Sequence, residues 1–545
     1  MHVKSGVEAP TPTDTEEGQS GRPMKLDKHG LPLVPQPSDN KDDPLNWPPL
    51  VKHGILLQVS LLTLMGTIGS ATINPAFVPL AAAFGITPVQ ASYELTVWII
   101  FAAVVPVFLV PLANVYGRLP FYVLGNLLAA ATNLAAGHCD NWSALLATRA
   151  LNGIGAGCAA ALGPATVCDL YFLHERGVFM GVYTFCVTNA PHLAPLAGGF
   201  IAQNLGWREC FKIPSYIQFG LFFITFFCFP ETLYVRKADC QAESNLPVGT
   251  FADMLLFRRA RKRHISGRRK LNLTSFAAPF VMMRYLSIIL PALYYMTAFA
   301  YGSLLFGATG SVVFRGLYGF TTAQTGLIIS IPLVVGCLLG ECSAGWFTDW
   351  LVYRAARRRD DGARRPEPRL DALWLALLVP VGVCISHAAR TGWAANAVGM
   401  AVASFGLQVA GTVTYTYCTD CYKPQAAEIS VVLTLFRHIY CGIVPFYAYV
   451  SPFTHVSPPA HVEGGPLCRW VPCRASALRH VAATNSTNSR AGRVPLAEKI
   501  QYQYAWLLFA CLNLAFLPPL LILRLYGEAI RNSKWQPTPS FHPDI

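Results

Sequence analysis

Twelve long apolar stretches decide what this chain can fold into. Each holds roughly 20 residues or more, the length that an α-helix needs to cross the hydrocarbon core of a bilayer. Backbone polar groups inside lipid must find partners within their own segment, so the pattern predicts an all-α membrane protein with twelve transmembrane helices. The stretches are 53–83, 91–113, 119–138, 143–169, 177–204 and 207–229, followed by 286–308, 323–347, 370–388, 394–417, 427–450 and 503–526.

The composition agrees with a membrane protein. Charged residues make up 13% of the 545 residues and hydrophobic residues 53%, whereas soluble domains are about 25% charged. The first 50 residues are polar and rich in proline, so we expect no cleavable signal peptide. The first membrane helix is therefore expected to act as the insertion signal.

The apolar stretches form two sets of six around a charged linker, which predicts two parallel six-helix bundles. The expected organisation is a disordered cytoplasmic tail over 1–50, an N-terminal bundle over 51–230 and a basic cytoplasmic linker over 231–285. A C-terminal bundle over 286–530 and a cytoplasmic tail over 531–545 follow.

Residues 452–500 do not fit this plan, because they separate the last two helices by a long segment. The segment holds six bases and, as acids, only Glu463 and Glu498. One interpretation is an extracellular loop that is glycosylated at Asn485, within Asn485-Ser486-Thr487, and bridged between Cys468 and Cys473. The other is an artefact of the gene model, such as a translated intron.

The net charge of +13 comes largely from loops between the sixth and seventh and between the eighth and ninth apolar stretches. An excess of Lys and Arg marks these loops as cytoplasmic. The bases form no helix face and alternate with no stacking aromatics, so we expect no nucleic-acid partner. The sequence contains no nucleophile elbow, Walker-type lysine loop or metal-ligand cluster, which argues against an enzyme, a cofactor and a metal site.

A short polar turn separates the second and third apolar stretches. Gly117 permits a tight backbone there, and Arg118 stays at the membrane surface. The turn resembles the Gly-x-x-x-Asp-x-x-Gly-Arg-Arg/Lys loop of the major facilitator superfamily, with Asn114 in place of the acid and Leu119 in place of the second base.

The stretches Asp43–Pro48 (DPLNWP) and Pro230–Tyr234 (PETLY) resemble the fungal drug/proton antiporter branch of twelve-helix proteins. Within that branch they are similar to secondary-metabolite exporters and to the group that contains the yeast histidinol and polyamine permease.

Arg149 lies inside the fourth apolar stretch. An arginine at membrane depth is costly unless it faces a partner or a cavity. Arg149, Gly153 and Gly157 match the superfamily's motif in helix 4, and the resemblance implies that Arg149 takes part in proton coupling. The alternative is that Arg149 extends to the outer membrane interface.

The fifth apolar stretch resembles the superfamily's antiporter motif, Gly-x-x-x-Gly-Pro-x-x-Gly-Gly, which is typical of exporters. Ala190 and Ala194 stand where the motif has two of its glycines. The alternative is generic packing of small residues between helices. The positions that carry the resemblance are Pro191, Pro195, Gly198 and Gly199.

Gating is predicted at the cytoplasmic ends of the helices. We expect Arg118 to pair with Asp169 or with Glu175, beside Arg176, and so to lock the outward-open state. A solvent-exposed pair contributes under about 1 kcal/mol, so burial decides this role. Asp349 is the counterpart in the second half.

Glu341 is the best candidate for a membrane carboxylate that relays protons or binds a cationic substrate. The alternative is a structural partner of a helix dipole or of Arg437. A central cavity for a large organic ligand is predicted to be lined by three aromatic rings and an amide, although packing is the commoner role of aromatics in membranes. These residues are Tyr294, Tyr295, Tyr301 and Gln408.

The leading functional hypothesis is a proton-coupled exporter of a drug or fungal secondary metabolite. We expect it to be a monomer in the plasma membrane, whose partners are a small organic substrate, protons and membrane lipid. One alternative is a proton-coupled importer of organic cations such as polyamines. The other is a membrane sensor that does not transport.

Overall fold

A computed structural model describes residues 37–38, 43–234, 273–358, 366–388, 392–422, 425–448 and 502–531, and all regular structure within them is helical. Residues 452–500, with Asn485 and the two cysteines predicted to bridge, lie outside the described residues. So do most of the predicted tails 1–50 and 531–545 and most of the linker 231–285.

The first half contains five full-length helices after a membrane-crossing stretch built from shorter pieces. That stretch comprises α1 (Pro49–Ala71), a 3₁₀ turn (Asn74–Ala76) and α2 (Phe77–Phe84). After a single turn, α3 (Pro88–Ala91), the remaining helices are α4 (Tyr93–Tyr116), α5 (Leu119–Ala136), α6 (Trp142–Leu170), α7 (Leu173–Asn204) and α8 (Glu209–Cys228).

The second half repeats the arrangement with more irregular helices. It comprises α9 (Leu273–Met282), α10 (Leu286–Phe299), a π-helical segment (Ala300–Leu304), α11 (Leu305–Tyr318), α12 (Thr322–Arg357) and a 3₁₀ segment (Glu367–Leu377). It continues with α13 (Leu378–Ala388), α14 (Trp393–Cys421), α15 (Ala426–Ala448), α16 (Tyr502–Ala515) and α17 (Leu517–Arg531).

Ten helical stretches of the described chain are long and apolar enough to cross a membrane. Two further helices, α7 with 32 residues and α15 with 23, occupy the places of the fifth and eleventh predicted spans. The predicted fold class, an all-helical membrane protein, is thereby confirmed.

Several helix boundaries differ from those that hydropathy predicts. The first span breaks after Ala71, where Pro75 lacks the N–H that a continuous helix needs. The seventh span runs past residue 308 to Tyr318, and α9 begins inside the predicted linker 231–285. Hydropathy locates apolar runs, but it does not register how far a helix continues into polar residues.

The two halves touch mainly through two pairs of helices, α4 with α15 and α7 with α12. Near the cytoplasmic end of α4, Val107 and Val110 pack with Val431 and Leu435 of α15. Near the outer end of α7, Gly199 meets the start of α12, where Gly326 lies so close to the carbonyl of Pro195 that a Cβ atom would clash. The two contacts therefore lie toward opposite ends of the helices.

Candidate functional site

A cavity of about 1000 Å³, including space open to solvent, lies between the two halves. The first half contributes α1, α4, α6 and α7, and the second contributes the π-helical region, α12 and α15. Most of its wall is apolar, with a few polar groups pointing inward, which is the usual composition of a ligand pocket. The largest polar side chains of the wall are Asn74, Trp98, His192, Arg437 and His438.

Arg149 lies behind the wall of this cavity, on α6. Its side chain is fully buried, so the alternative that it extends to the outer interface is wrong. Nη2 donates to Asn133 Oδ1 at 2.5 Å and Nη1 to the carbonyl of Gly69 at 3.5 Å. The guanidinium also stacks over the Phe211 ring at 4.7 Å. Three neighbouring helices thus supply acceptors or a ring face for one cation.

Glu94 is the acidic partner of Arg149, and the sequence did not single it out as a site residue. Its Oε2 lies 4.0 Å from Arg149 Nε, and both side chains are 0% exposed. In the described part of the chain, neither carboxylate oxygen has a hydrogen-bond donor. A buried carboxylate without a donor is held by its attraction to the nearby cation alone.

A hydrogen-bonded pair connects this ion pair to the cavity. Trp98, one turn after Glu94 on α4, lines the cavity, and its Nε1 donates to Asn152 Oδ1 at 2.9 Å. Asn152 follows Arg149 by three residues on α6 and donates to the carbonyl of Ala129 at 2.7 Å. A movement of α4 or α6 at Glu94 or Arg149 therefore also moves Trp98 and Asn152, and with them the cavity wall.

The glycines after Arg149 allow this close arrangement. A Cβ at Gly153 would lie 2.5 Å from the carbonyl oxygen of Trp98, and one at Gly155 would lie 2.6 Å from the amide nitrogen of Ala129. Only glycine lets α6 approach both α4 and α5 so closely.

The second half contributes one charged residue, Arg437 of α15. Nη1 donates to the Tyr295 hydroxyl at 3.2 Å, and the guanidinium stacks over the Phe299 ring at 4.6 Å. The neighbouring His438 has Nε2 3.5 Å from Arg437 Nη2 and Nδ1 2.9 Å from the carbonyl of Thr434. The cavity is therefore positively charged on this side.

The four residues predicted to line a cavity do not line this one. Tyr294 and Tyr301 are fully buried within the second half, where Tyr301 stacks on Phe509 at 5.1 Å. The Tyr295 hydroxyl accepts a hydrogen bond from Arg437, and Gln408 donates one to Glu341. The prediction is corrected: Trp98, His192 and Arg437 take the place it gave to the tyrosines, because these tyrosines face the interior of their own bundle.

Glu341 has neutral partners. Its Oε2 accepts hydrogen bonds from Gln408 Nε2 at 2.5 Å and Thr412 Oγ1 at 3.0 Å. Arg437 is not among its contacts in the described chain, and Glu341 does not line the cavity. A role in proton relay stays a prediction for this residue.

The predicted gating residues form a cytoplasmic clamp, which we define as Arg118, Asp169 and Glu231. Arg118 Nη1 lies 2.6 Å from Asp169 Oδ2, and both side chains are largely buried. Glu231, just after α8, accepts from the backbone N–H groups of Arg118 at 3.0 Å and Leu119 at 3.1 Å. Glu231 was missed because the sequence offered PETLY only as a family resemblance.

Gly117 is required by the same clamp. Its φ is +95°, and an added Cβ would lie 2.6 Å from Glu231 Oε2. Glu175 is exposed, and the side chain of Arg176 lies outside the described residues. All members of the clamp belong to the first half, so the pair joins helices within one bundle instead of bridging the two.

The second half has its own cluster of charges at the corresponding place. Arg369 pairs with Asp349 and with Asp420, each at 2.8 Å. Glu367 binds Arg531 at the end of α17. The prediction named Asp349 alone, but Asp349 is 72% exposed, and the more buried pair in this cluster joins Glu367 to Arg531.

The residues of the proposed antiporter motif lie at helix contacts. Pro191 lines the cavity. Gly198 packs against the carbonyl of Thr72, and Gly199 lies against Thr322 and Gly326 of the second half. The carbonyl of Pro195 also lies against Gly326. The motif's small residues therefore serve close packing, and a link to antiport stays a prediction.

Comparisons with known proteins agree with this architecture. Residues 59–445 match the sequence model of the Major Facilitator Superfamily. Efflux pump radE of Floropilus chiversii is 29% identical over 75% of this chain and 76% of its own length. The MFS-type transporter atr4 of Stereocaulon alpinum is 28% identical, over 75% and 73%, and efflux pump vrtL of Penicillium aethiopicum is 27% identical, over 75% and 80%.

Among solved structures, a bacterial homolog of the human lysosomal transporter Spinster, in an inward-facing and unoccupied conformation, matches with a TM-score of 0.55. It covers 89% of this chain and 97% of its own, at 15% identity. At that identity the likeness concerns the fold alone.

Proposed function

This chain belongs to the Major Facilitator Superfamily and is thus a membrane transporter, and we propose that it exports a small organic molecule in exchange for protons. The central cavity is the substrate site, and the two contacts between the halves open in turn. The export direction is supported by relatives that are named efflux pumps and by the residues of the antiporter motif. An exporter clears its compound from the cell at the plasma membrane.

The observation that carries proton coupling is the buried pair of Glu94 and Arg149. Two opposite charges 4.0 Å apart attract each other by roughly 4 kcal/mol at an effective dielectric constant of about 20. Protonation of Glu94 removes that attraction and leaves Arg149 with only neutral acceptors. Protonation therefore changes the free energy of the conformation in which α4 and α6 hold these two residues together. A proton can shift a conformational equilibrium only through such a difference between states.

The link through Asn152 and Trp98 gives this shift a route to the substrate. Trp98 lies on the cavity wall, so a movement of α4 against α6 changes the shape of the site. Substrate and proton then favour different states of the same two helices, which is the thermodynamic requirement for exchange.

The clamp of Arg118, Asp169 and Glu231 supports alternating access indirectly. It fixes the cytoplasmic ends of the third, fourth and sixth spans to one another. These three spans thereby move together at this end, while the apolar contact of Val107 and Val110 of α4 with α15 separates.

The test uses inside-out vesicles from cells that express the chain, with an acidic lumen and a panel of lipophilic acids, neutral compounds and amines. Accumulation that disappears with a protonophore is expected for a proton-coupled exporter. Accumulation only in right-side-out vesicles would instead establish the importer. If neither orientation accumulates any compound, the sensor is the better interpretation.

A further inference from the structure

Among the described residues that line the cavity, one carries a buried charge, the guanidinium of Arg437. The residue is 9% exposed and lines the cavity wall on α15. The ring of Phe299 covers one face at 4.6 Å, and the Tyr295 hydroxyl accepts from Nη1 at 3.2 Å. These contacts fix the plane of the guanidinium and leave Nε without an acceptor in the described chain.

Arg437 has no counter-charge among the residues that the structure describes. No aspartate or glutamate lines the cavity, and none of the described carboxylates forms an ion pair with Arg437. Other buried arginines are paired: Arg118 with Asp169 at 2.6 Å, and Arg149 with Glu94 at 4.0 Å. A buried cation without a partner is unfavourable, so Arg437 is complementary to a negative charge that comes from elsewhere.

The neighbouring histidine adds no second positive charge to the cavity. His438 Nδ1 lies 2.9 Å from the carbonyl of Thr434, a distance at which Nδ1 donates a proton. Nε2, 3.5 Å from Arg437 Nη2, is then the acceptor of a neutral ring. The second half therefore presents a net charge of one positive unit to the cavity.

Other residues of the cavity wall are suited to the remainder of an organic acid. Trp98 and Ile99 supply apolar surface, and His192 Nε2 and Asn74 Oδ1 are buried without hydrogen-bond partners in the described residues. His192 is 2% exposed. A planar fork of N–H groups, aromatic faces and a few polar groups together select a ligand with one acidic group on a hydrophobic frame.

We infer that the substrate is an organic anion, an aromatic or otherwise hydrophobic compound with a carboxylate or an acidic phenol that Arg437 binds. The inference rests on the proposed function, because it names the substrate class of that same cavity. An ammonium group in this site meets an unpaired guanidinium and no carboxylate. The geometry thus argues against organic cations such as polyamines.

The test measures binding to the purified full-length chain by equilibrium dialysis. The probes are 2-naphthoate, 2-naphthamide and 2-naphthylmethylammonium, and the same three head groups on biphenyl. The wild-type protein is expected to bind the carboxylates at least tenfold more tightly than the amides or the ammonium compounds. Equal or tighter binding of either of the others, or no binding of any carboxylate, overturns the inference.

Variants assign the preference to one residue. Arg437→Gln is expected to bind the carboxylate and the amide equally, whereas Arg437→Lys keeps the order of affinities with a smaller ratio. Arg208→Gln is the matched control, because Arg208 is 41% exposed and pairs with Asp140 away from the cavity. An unchanged preference in Arg437→Gln contradicts the assignment. If that variant does not fold, the wild-type ranking and Arg437→Lys still decide.

Binding is measured without a gradient, so the two proposals fail separately. Tight carboxylate binding without gradient-driven accumulation contradicts proton-coupled export and leaves the substrate class standing. Proton-driven export of amines alone contradicts the substrate class and leaves the proposed function standing.

Discussion

Glu231 and Arg531 occupy corresponding places at the cytoplasmic ends of the sixth and twelfth spans, with opposite charges. Glu231 accepts hydrogen bonds from the backbone at the start of the third span, and Arg531 binds Glu367 at the start of the ninth. Both halves therefore tie their last helix to their third. The repeat preserves the position of the tie, while the chemistry of the tie differs between the halves.

The clamp predicts a measurable loss of stability when Glu231 is changed. Glu231→Gln weakens two hydrogen bonds to buried N–H groups and removes a charge near the start of α5, so we expect a loss of roughly 1–3 kcal/mol. The melting temperature of the purified chain in detergent measures it. Asp140→Asn is the control, because the Asp140 side chain is 85% exposed and its surface pair with Arg208 should contribute under about 1 kcal/mol. A Glu231→Gln variant as stable as that control contradicts the clamp.

Gly117→Ala tests the backbone geometry of the same site. Alanine at φ +95° is strained, and its Cβ would lie 2.6 Å from Glu231 Oε2. We expect a loss of more than about 1 kcal/mol. Gly206→Ala is the control, because Gly206 has nearly the same φ, +96°, and an added Cβ there has nothing within 4 Å. Melting of the two variants side by side separates backbone strain from the clash with Glu231, and equal losses would exclude the clash.

Proton coupling is predicted to depend on Glu94 and Arg149 together. Glu94→Gln keeps the shape and removes the titrating group, so transport driven by a pH gradient should fall at least tenfold. Exchange of labelled for unlabelled substrate without a gradient should persist, since substrate binding does not use Glu94. Arg149→Ala should also abolish proton-driven flux in a chain that still folds. Normal pH-dependent flux in either variant removes that residue from the coupling mechanism.

The contact between Pro195 and Gly326 is expected to control opening to the outside. A methyl group from Gly326→Ala would clash with the Pro195 carbonyl, so the closed outer contact becomes unfavourable and the outward-open state gains population. Gly345→Ala is the control on the same helix, because its Cβ would meet nothing within 4 Å. The measurement is labelling, by an impermeant maleimide from the outside, of a cysteine placed at Ser303 in a chain whose own cavity cysteine, Cys441, is replaced by serine. Equal labelling of both variants would show that this contact does not close the outer side.

The sequence predicted the fold well because apolar length is a local property. Each long stretch can be read by itself, and all-α packing follows from the absence of water in the bilayer. The pair of Arg118 and Asp169 was also predicted, since both residues sit at loops whose side of the membrane follows from the charges. These features need no knowledge of which helix face points inward.

The cavity required that knowledge. Spans that are apolar all round carry no strong periodicity to orient them, so Tyr294 and Tyr301 could not be distinguished from Trp98 and Arg437 as lining residues. Glu94 and Arg149 are 55 positions apart in the sequence, and nothing local reports that α4 and α6 bring them together. The glycines of α6 permit that approach, but they do not name the partner.

Export of an anion against an inward proton has an electrical consequence. One anion leaving and one proton entering move two positive charges inward per cycle, and each is worth about 2.3 kcal/mol at 100 mV. The membrane potential, negative inside, should therefore drive export even without a pH gradient. Proteoliposomes with a potential imposed by potassium and valinomycin measure the flux of a carboxylate. Export of a neutral compound would move one charge, so the reversal potential at a known pH gradient distinguishes the two. A flux insensitive to potential contradicts this combination of substrate charge and proton exchange.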